Sequence, residues 1–317
     1  MLGSHRIGFL VIGLSVICNG VTFHLQKAAL GDVEPAMLIV IQNSFAAGYF
    51  LIAAYIWRAF GWQAGDLHKT DPVAMVRWFK DGWKIIVLAM VLGGGSGWLL
   101  QLTTKNYGPE ISSFLANLKL VFLVAGGLLL GERATKAELL TAGAIIVGAF
   151  LFSWQGGKFQ LGALGLMSIC CLAVAGKQLI VRSAADKANL PTVMCAMLIG
   201  MGVANGFIAV VNNEISWPPG WVFGLLALAG LLNGALGMAL LYTSYSLIGV
   251  SRAAPIDALR PMVVLLVGIL VLGKDLPPPL QIGGAVLVLG GSMLLAKLHK
   301  PAPVADDKEE LATDGQG

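Results

Sequence analysis

Four charged residues sit where an apolar chain can least accommodate them. Lys119, Lys177, Asp257 and Arg260 each fall inside a long run of Leu, Val, Ala, Gly and Met. On insertion scales a charge at the bilayer centre costs about 2.5–3.5 kcal/mol, so three unpaired cations would cost on the order of 8–10 kcal/mol. Asp257 is the one acid at comparable depth, and Arg260 follows it by three residues on the same helical face. Positive charge is therefore in surplus. The chemistry this suits is capture of an anionic group, a carboxylate or a phosphate. Arg offers a planar fork of donors and Lys a movable point charge. Structural roles compete with that reading. Lys177 lies five residues before Arg182 and can snorkel toward an interface. Arg260 can act as a structural partner of Asp257. Lys119 has no acid nearby in sequence, since Glu110 is two to three turns away.

Neutral polar residues join these charges in the apolar runs. Asn19, Gln42, Gln101, Asn117 and Tyr242 complete the candidate substrate-binding set of Lys119, Arg260, Lys177 and Asp257. Interhelical hydrogen bonds, worth about 0.6 kcal/mol each, are the plainer role for such groups. His24 is the candidate coupling group, because few other side chains here titrate near neutral pH. As a lone histidine, packing is its simpler fate.

The elements that must position these residues are membrane helices. The chain has 317 residues, 57% hydrophobic and 12% charged, with a mean hydropathy of +0.80. Soluble domains carry about 25% charged residues, so this chain lacks the polar surface to face water. Ten apolar stretches can be read: 7–28, 36–57, 85–104, 110–130, 137–154, 161–182, 191–211, 221–246, 252–272 and 280–298. Each approaches the length of about 20 residues that spans a bilayer. The first is longer than a signal-peptide core and lacks a clear small-x-small cleavage site, so it reads as a retained span. Glycine is abundant, at 41 residues, and the pairs Gly127/Gly131, Gly202/Gly206, Gly220/Gly224 and Gly230/Gly234 have the four-residue spacing of close helix packing.

With the N-terminus inside, the inner segments hold 14 of the 21 Lys and Arg residues and the outer loops hold 4. That bias predicts both termini in the cytoplasm and an integral membrane protein, the bacterial inner membrane being the expected location. The longest loop, 58–84, contains Asp71-Pro72, a helix start, then Val73, Val76, Phe79 and Trp83 near one face. It predicts an amphipathic helix at the interface. The polar tail 300–317 predicts disorder. The four cysteines lie in apolar stretches without metal or redox spacing. No His-Glu-x-x-His, Gly-x-Ser-x-Gly or paired carboxylates occur, so an enzyme is not expected, nor a cofactor, a metal or a nucleic-acid partner.

A shift of 142 residues lays GGLLLGER (126–133) on GILVLGKD (268–275), with Gly126 on Gly268, Gly131 on Gly273 and Val121 on Val263. Each is followed by a short turn and a glycine-rich span. Five spans per copy is an odd number, so the second copy enters from the opposite face. Such inverted repeats place a binding site near the midplane and expose it alternately to either side. The predicted class is all-α integral membrane, ten helices in two five-helix repeats, 1–154 and 155–299.

The pattern resembles the drug/metabolite transporter superfamily in its EamA-type form. LLLGERATKAELLTAGAIIVG (128–148) is similar to that family's half-repeat hallmark, an apolar helix ending Gly-Glu, a turn, then a span with an early Gly. In LVLGKDLPPPLQIGGAVLVLGG (270–291) the glycines remain, but Lys274-Asp275 stands where Gly-Glu would be expected. CNGVTF (18–23) looks like the small-residue motif of the family's first helix, and LRPMVV (259–264) like its proline in helix 9. The resemblance spans 7–298 and implies a secondary transporter of a small metabolite. Basic residues on helices 4 and 9 are similar to those of organic-anion and sugar-phosphate members. An exporter of amino acids or other neutral or amphipathic metabolites is the alternative within transport. A membrane enzyme or a channel is the alternative outside it. Expected partners are the small-molecule substrate, a proton or counter-substrate, and membrane lipid, with the chain a monomer or homodimer.

Overall fold

The computed structural model describes residues 2–59, 72–129, 135–155, 157–185, 190–248, 253 and 256–298. Loop residues 60–71, the Gly131-Glu132-Arg133 of the hallmark and the tail 300–317 lie outside them, as do the side chains of 56–86 and of Tyr242.

The described residues are mostly helical, the exceptions being short connections such as 212–219 and 271–278 and one two-residue β ladder. The helices are α1 (Leu2–Ala29), α2 (Pro35–Ala59), α3 (Pro72–Tyr107), α4 (Pro109–Leu115), α5 (Lys119–Leu129) and α6 (Lys136–Phe152). After the ladder, β1 (Trp154–Gln155) on β2 (Lys158–Phe159), come α7 (Leu161–Ala185), α8 (Leu190–Val211), α9 (Gly220–Ala229), α10 (Met238–Ile248), α11 (Arg260–Leu270) and α12 (Pro279–Leu298). Among the described residues, four stretches are long and apolar enough to cross a membrane unaided: Ile7–Ala29, Pro35–Ala53, Pro109–Gly126 and Gly220–Leu241. Their outward side chains are apolar, as on α6 and α8, where Leu140 is 76% and Phe207 70% exposed. A surface of that kind needs lipid as its solvent.

Local chemistry explains the helix ends. Gly108 takes φ 93°, a backbone conformation costly for any other residue, and so turns the chain between α3 and Pro109. Thr135 caps α6 reciprocally: its hydroxyl accepts from the Glu138 amide at 3.2 Å, and the Glu138 carboxylate accepts from the Thr135 amide at 2.7 Å. Such a capping box is worth about 1 kcal/mol. Gly273, at φ 64°, ends α11 and lets the Lys274 amide bond back to the Gly268 carbonyl at 3.0 Å.

Two apolar stretches are helical but not uniformly so. Between α4 and α5 the chain tightens into a 3₁₀ turn, Ala116–Leu118, and between α9 and α10 it widens into a π-helix, Gly230–Gly237. The π segment is where the chain passes α2 closely. A Cβ at Gly230 would stand 2.7 Å from the Gln42 carbonyl, and one at Gly234 would collide with the Ala46 Cβ. The four-residue spacing marks packing there. It does not at Gly220 and Gly224, where nothing lies within 4 Å.

The two halves interlock rather than sitting side by side. α6 packs on α12, α3 on α7 and α8, α2 on α8, and α1 on α10 and α11. Exchanging the halves maps this set onto itself: α3 on α7 becomes the α9–α10 segment on α1, and α1 on α11 becomes α7 on α4 and α5. The largest core cluster lies where α4, α6, α7 and α12 meet. Phe114 stacks on Phe152 there, with ring centroids 3.9 Å apart, beside Ile145, Met167 and Val288.

Candidate functional site

The 3₁₀ turn of the first half meets the turn that precedes α11 in the second. Asn117, 4% exposed, donates from Nδ2 to the Ala258 carbonyl at 3.1 Å. Ala116 and Ala258 are 142 residues apart, so the two irregular segments coincide under the shift read from the sequence. A break in a helix frees backbone polar groups, which are tolerated at membrane depth only where protein or a cavity satisfies them. Here each break faces the other.

Three charges converge at this junction. Lys119 opens α5, and its Nζ lies 3.3 Å from Asp257 Oδ2. Arg260 opens α11, and its Nη2 lies 2.5 Å from Asp257 Oδ1. The Asp257 side chain is 8% exposed, those of Lys119 and Arg260 19% and 25%. Lys119, with no acid nearby in sequence, finds its partner 138 residues away, where the two helix breaks meet. One carboxylate thus holds two cations, one from each half, and a single positive charge is left over. Arg260 Nε is buried without a hydrogen-bond partner among the described residues, so the guanidinium retains donor capacity.

Lys177 does not join that cluster. Its aliphatic stem lies against Gly93 of α3, and it has no ion pair among the described residues. It is near enough to Lys119 for their charges to repel.

The neutral candidates divide. Gln42 Oε1 accepts from Gln26 Nε2 at 2.8 Å, tying α2 to α1. Asn19 donates to Ser15 Oγ at 3.2 Å and lies against Gly237, while Ser15 donates to the Gly237 carbonyl at 2.7 Å. Gln42 thus joins two helices, while Asn19 bonds within α1 beside the end of the π segment and keeps a buried Oδ1 without a hydrogen-bond partner among the described residues. Gln101 is 3% exposed, and its Oε1 has no partner among the described residues. Tyr242 is on α10, with its side chain outside the described residues. His24 donates from Nε2 to the Val264 carbonyl of α11 at 2.7 Å.

A second charged group escaped the sequence reading. Lys274, just past Gly273, pairs with Glu110 at 2.6 Å. Close to them Lys105 pairs with Glu34 at 2.7 Å, and Lys27 donates to the Lys105 carbonyl at 2.6 Å. The signal was available in part, since Lys274 occupies the hallmark's acidic position.

The profile of the EamA-like transporter family matches residues 161–297. Among solved structures 23 chains match. One, described only as the crystal structure of a protein, has a TM-score of 0.63 at 16% identity, over 93% of this chain and 96% of its own. That likeness shows a shared fold. No curated protein matches. Residues 161–297 are thus similar to the EamA-like transporter family, part of the drug/metabolite transporter superfamily, and the apolar helices mark the chain as an integral membrane protein.

Proposed function

We propose that the protein is a secondary transporter of a small anionic metabolite, an organic acid or a sugar phosphate, working by alternating access between two inverted five-helix halves. The observation that carries this is the meeting of Lys119 and Arg260, one from each half, on the single carboxylate of Asp257. Net positive charge, buried where two helix breaks coincide, suits an anion better than any other cargo. The self-mapping of the helix pairs under exchange of halves supports the inverted repeat. Lys177, Gln101, Asn117 and Tyr242 are proposed as further walls of the path, and His24 as the coupling group. Both termini are placed in the cytoplasm on the charge tally.

One observation favours a second reading. Asp257 can receive an ammonium group while Lys119 and Arg260 hold a carboxylate, which suits an amino acid. Reconstitution into liposomes, with counterflow of organic acids, sugar phosphates and amino acids, tests both. Saturable exchange of anions supports the first, exchange confined to zwitterions supports the second, and exchange of neither sinks the site assignment.

A further inference from the structure

The ion pair between Glu110 and Lys274 has a place in the fold that neither the central charges nor packing explain. Glu110 is in the first turn of α4, in the first half, and Lys274 follows α11, in the second. Their bond at 2.6 Å therefore ties the halves together at one end of the molecule, the end assigned to the outside by the charge tally. The pair lines a cleft of about 270 Å³, whose walls include Tyr107, Leu265, Asp275 and Gln281. One turn further in lies Ser113, 2% exposed, whose hydroxyl donates to the Glu110 carbonyl at 2.9 Å. Asn117 and the central charges follow along the same segment.

The pair is held with little slack. A Cβ on Gly268 would stand 2.9 Å from Glu110 Oε1, 3.5 Å from Lys274 Cδ and 3.6 Å from His24 Cε1. Glycine at 268 leaves the space into which Glu110 reaches, and Gly273 at φ 64° turns Lys274 back toward it. The surrounding charges are Lys27, Lys105, Glu34 and Asp275, and Lys27 stands close enough to Glu110 and Lys274 to feel both. An ion pair that is partly exposed contributes little to stability. The Lys274 side chain is 42% exposed, so this one is readily broken, as a moving contact must be.

We infer that Glu110 and Lys274 form a latch that closes the outer end of the transport path, and that it opens when an anionic group takes Lys274 from Glu110. The inference rests on the transport reading for what passes the latch, but its main test needs no cargo. Ser113→Cys is introduced, and its labelling by a membrane-impermeant maleimide is followed on right-side-out vesicles. The chain without that substitution gives the background from the four native cysteines.

Labelling is expected to be slow in the parent and about fivefold faster in E110Q and in K274Q, the population shift set by a half-exposed ion pair. The charge-swapped pair E110K/K274E returns to the parent rate. Gly268→Ala, which leaves both charges in place but crowds Glu110, accelerates labelling as well. Millimolar inorganic phosphate accelerates it in the parent, whereas chloride at equal ionic strength does not. Equal rates in the parent and both single variants, or a swapped pair as fast as the singles, overturn the latch. No response to phosphate overturns opening by an anion. If no anion shows counterflow while the variants label as stated, the basic-site reading falls and the latch stands.

Discussion

Lys119 and Asp257 are joined at 3.3 Å across 138 residues of chain, each beside a break in an otherwise helical segment. Their bond leaves Asp257 with both oxygens engaged, since Arg260 holds the other. Asp257 is balanced from both halves, by Lys119 of the first and Arg260 of the second, so the consequences of removing one charge differ from those of removing another.

Lys119→Ala and Arg260→Ala each leave Asp257 one cation. They are expected to weaken half-saturation for an anionic cargo by about 10- to 100-fold, the worth of a charge-assisted hydrogen bond of about 1.5–3 kcal/mol. Expression and thermal stability stay near those of the parent. Counterflow in liposomes reads the effect, and unchanged half-saturation in both variants removes these residues from the site.

Asp257→Ala acts on stability. It leaves two mostly buried cations facing each other without a counter-charge, a loss of about 3–5 kcal/mol for a broken buried pair. The melting temperature in detergent should fall clearly. Adding Lys119→Met should recover part of the loss, because one of the stranded charges is gone. A double variant no more stable than Asp257→Ala contradicts the shared-carboxylate arrangement.

Asn117→Leu removes the side chain that donates from the 3₁₀ turn to the Ala258 carbonyl at 3.1 Å. An orphaned buried carbonyl costs about 1–3 kcal/mol. A drop in melting temperature is expected, with Asn117→Gln retaining more transport than Asn117→Leu. Identical behaviour of the two variants would show that the amide is not needed.

Neighbouring glycines on α12 give a sharp contrast. A Cβ on Gly284 would stand 2.5 Å from the Phe152 amide nitrogen and 2.6 Å from the Gly148 carbonyl, whereas Gly283 has nothing within 4 Å. Gly284→Ala must push α12 off α6, a strain of about 1–3 kcal/mol. Gly283→Ala should be neutral. Comparing the two melting curves settles which face of α12 is packed.

His24→Gln keeps a donor for the Val264 carbonyl but removes the imidazole ring. If His24 couples transport to protons, exchange of cargo persists while accumulation driven by a pH gradient is lost. Gradient-driven accumulation that survives in the variant assigns His24 to packing.

Much of the helix content was legible because the solvent is lipid: the described residues of the long apolar stretches lie mostly on helical structure, while the amphipathic helix expected within 58–84 is instead the start of a continuous α3, Pro72–Tyr107. The buried cations stood out for the same reason, and the 142-residue shift placed Lys119 one position from Arg260. Less legible was what depends on how helices cross. Neither Gly nor Pro marks the break at Ala116–Leu118, so nothing local announced it. The partner of Lys119 lies in the other half, beyond any spacing rule. Glu110 and Lys274 looked like ordinary loop-end charges until α4 and α11 were brought together. Gln42 also bonds to Gln26 of α1, a partner that depth and residue type alone did not reveal.

The sharing of Asp257 also sets an order of events during synthesis. Ribosomes add about 5–20 residues per second, so Lys119 is made roughly 7–28 s before its acid, 138 residues later. Throughout that interval the first half of the chain holds a cation in or beside lipid with its counter-charge still unmade. The insertion machinery, a chaperone or a headgroup within reach must shelter Lys119 until α11 arrives. A nascent chain halted after α6 is the form in which that temporary guest can be trapped.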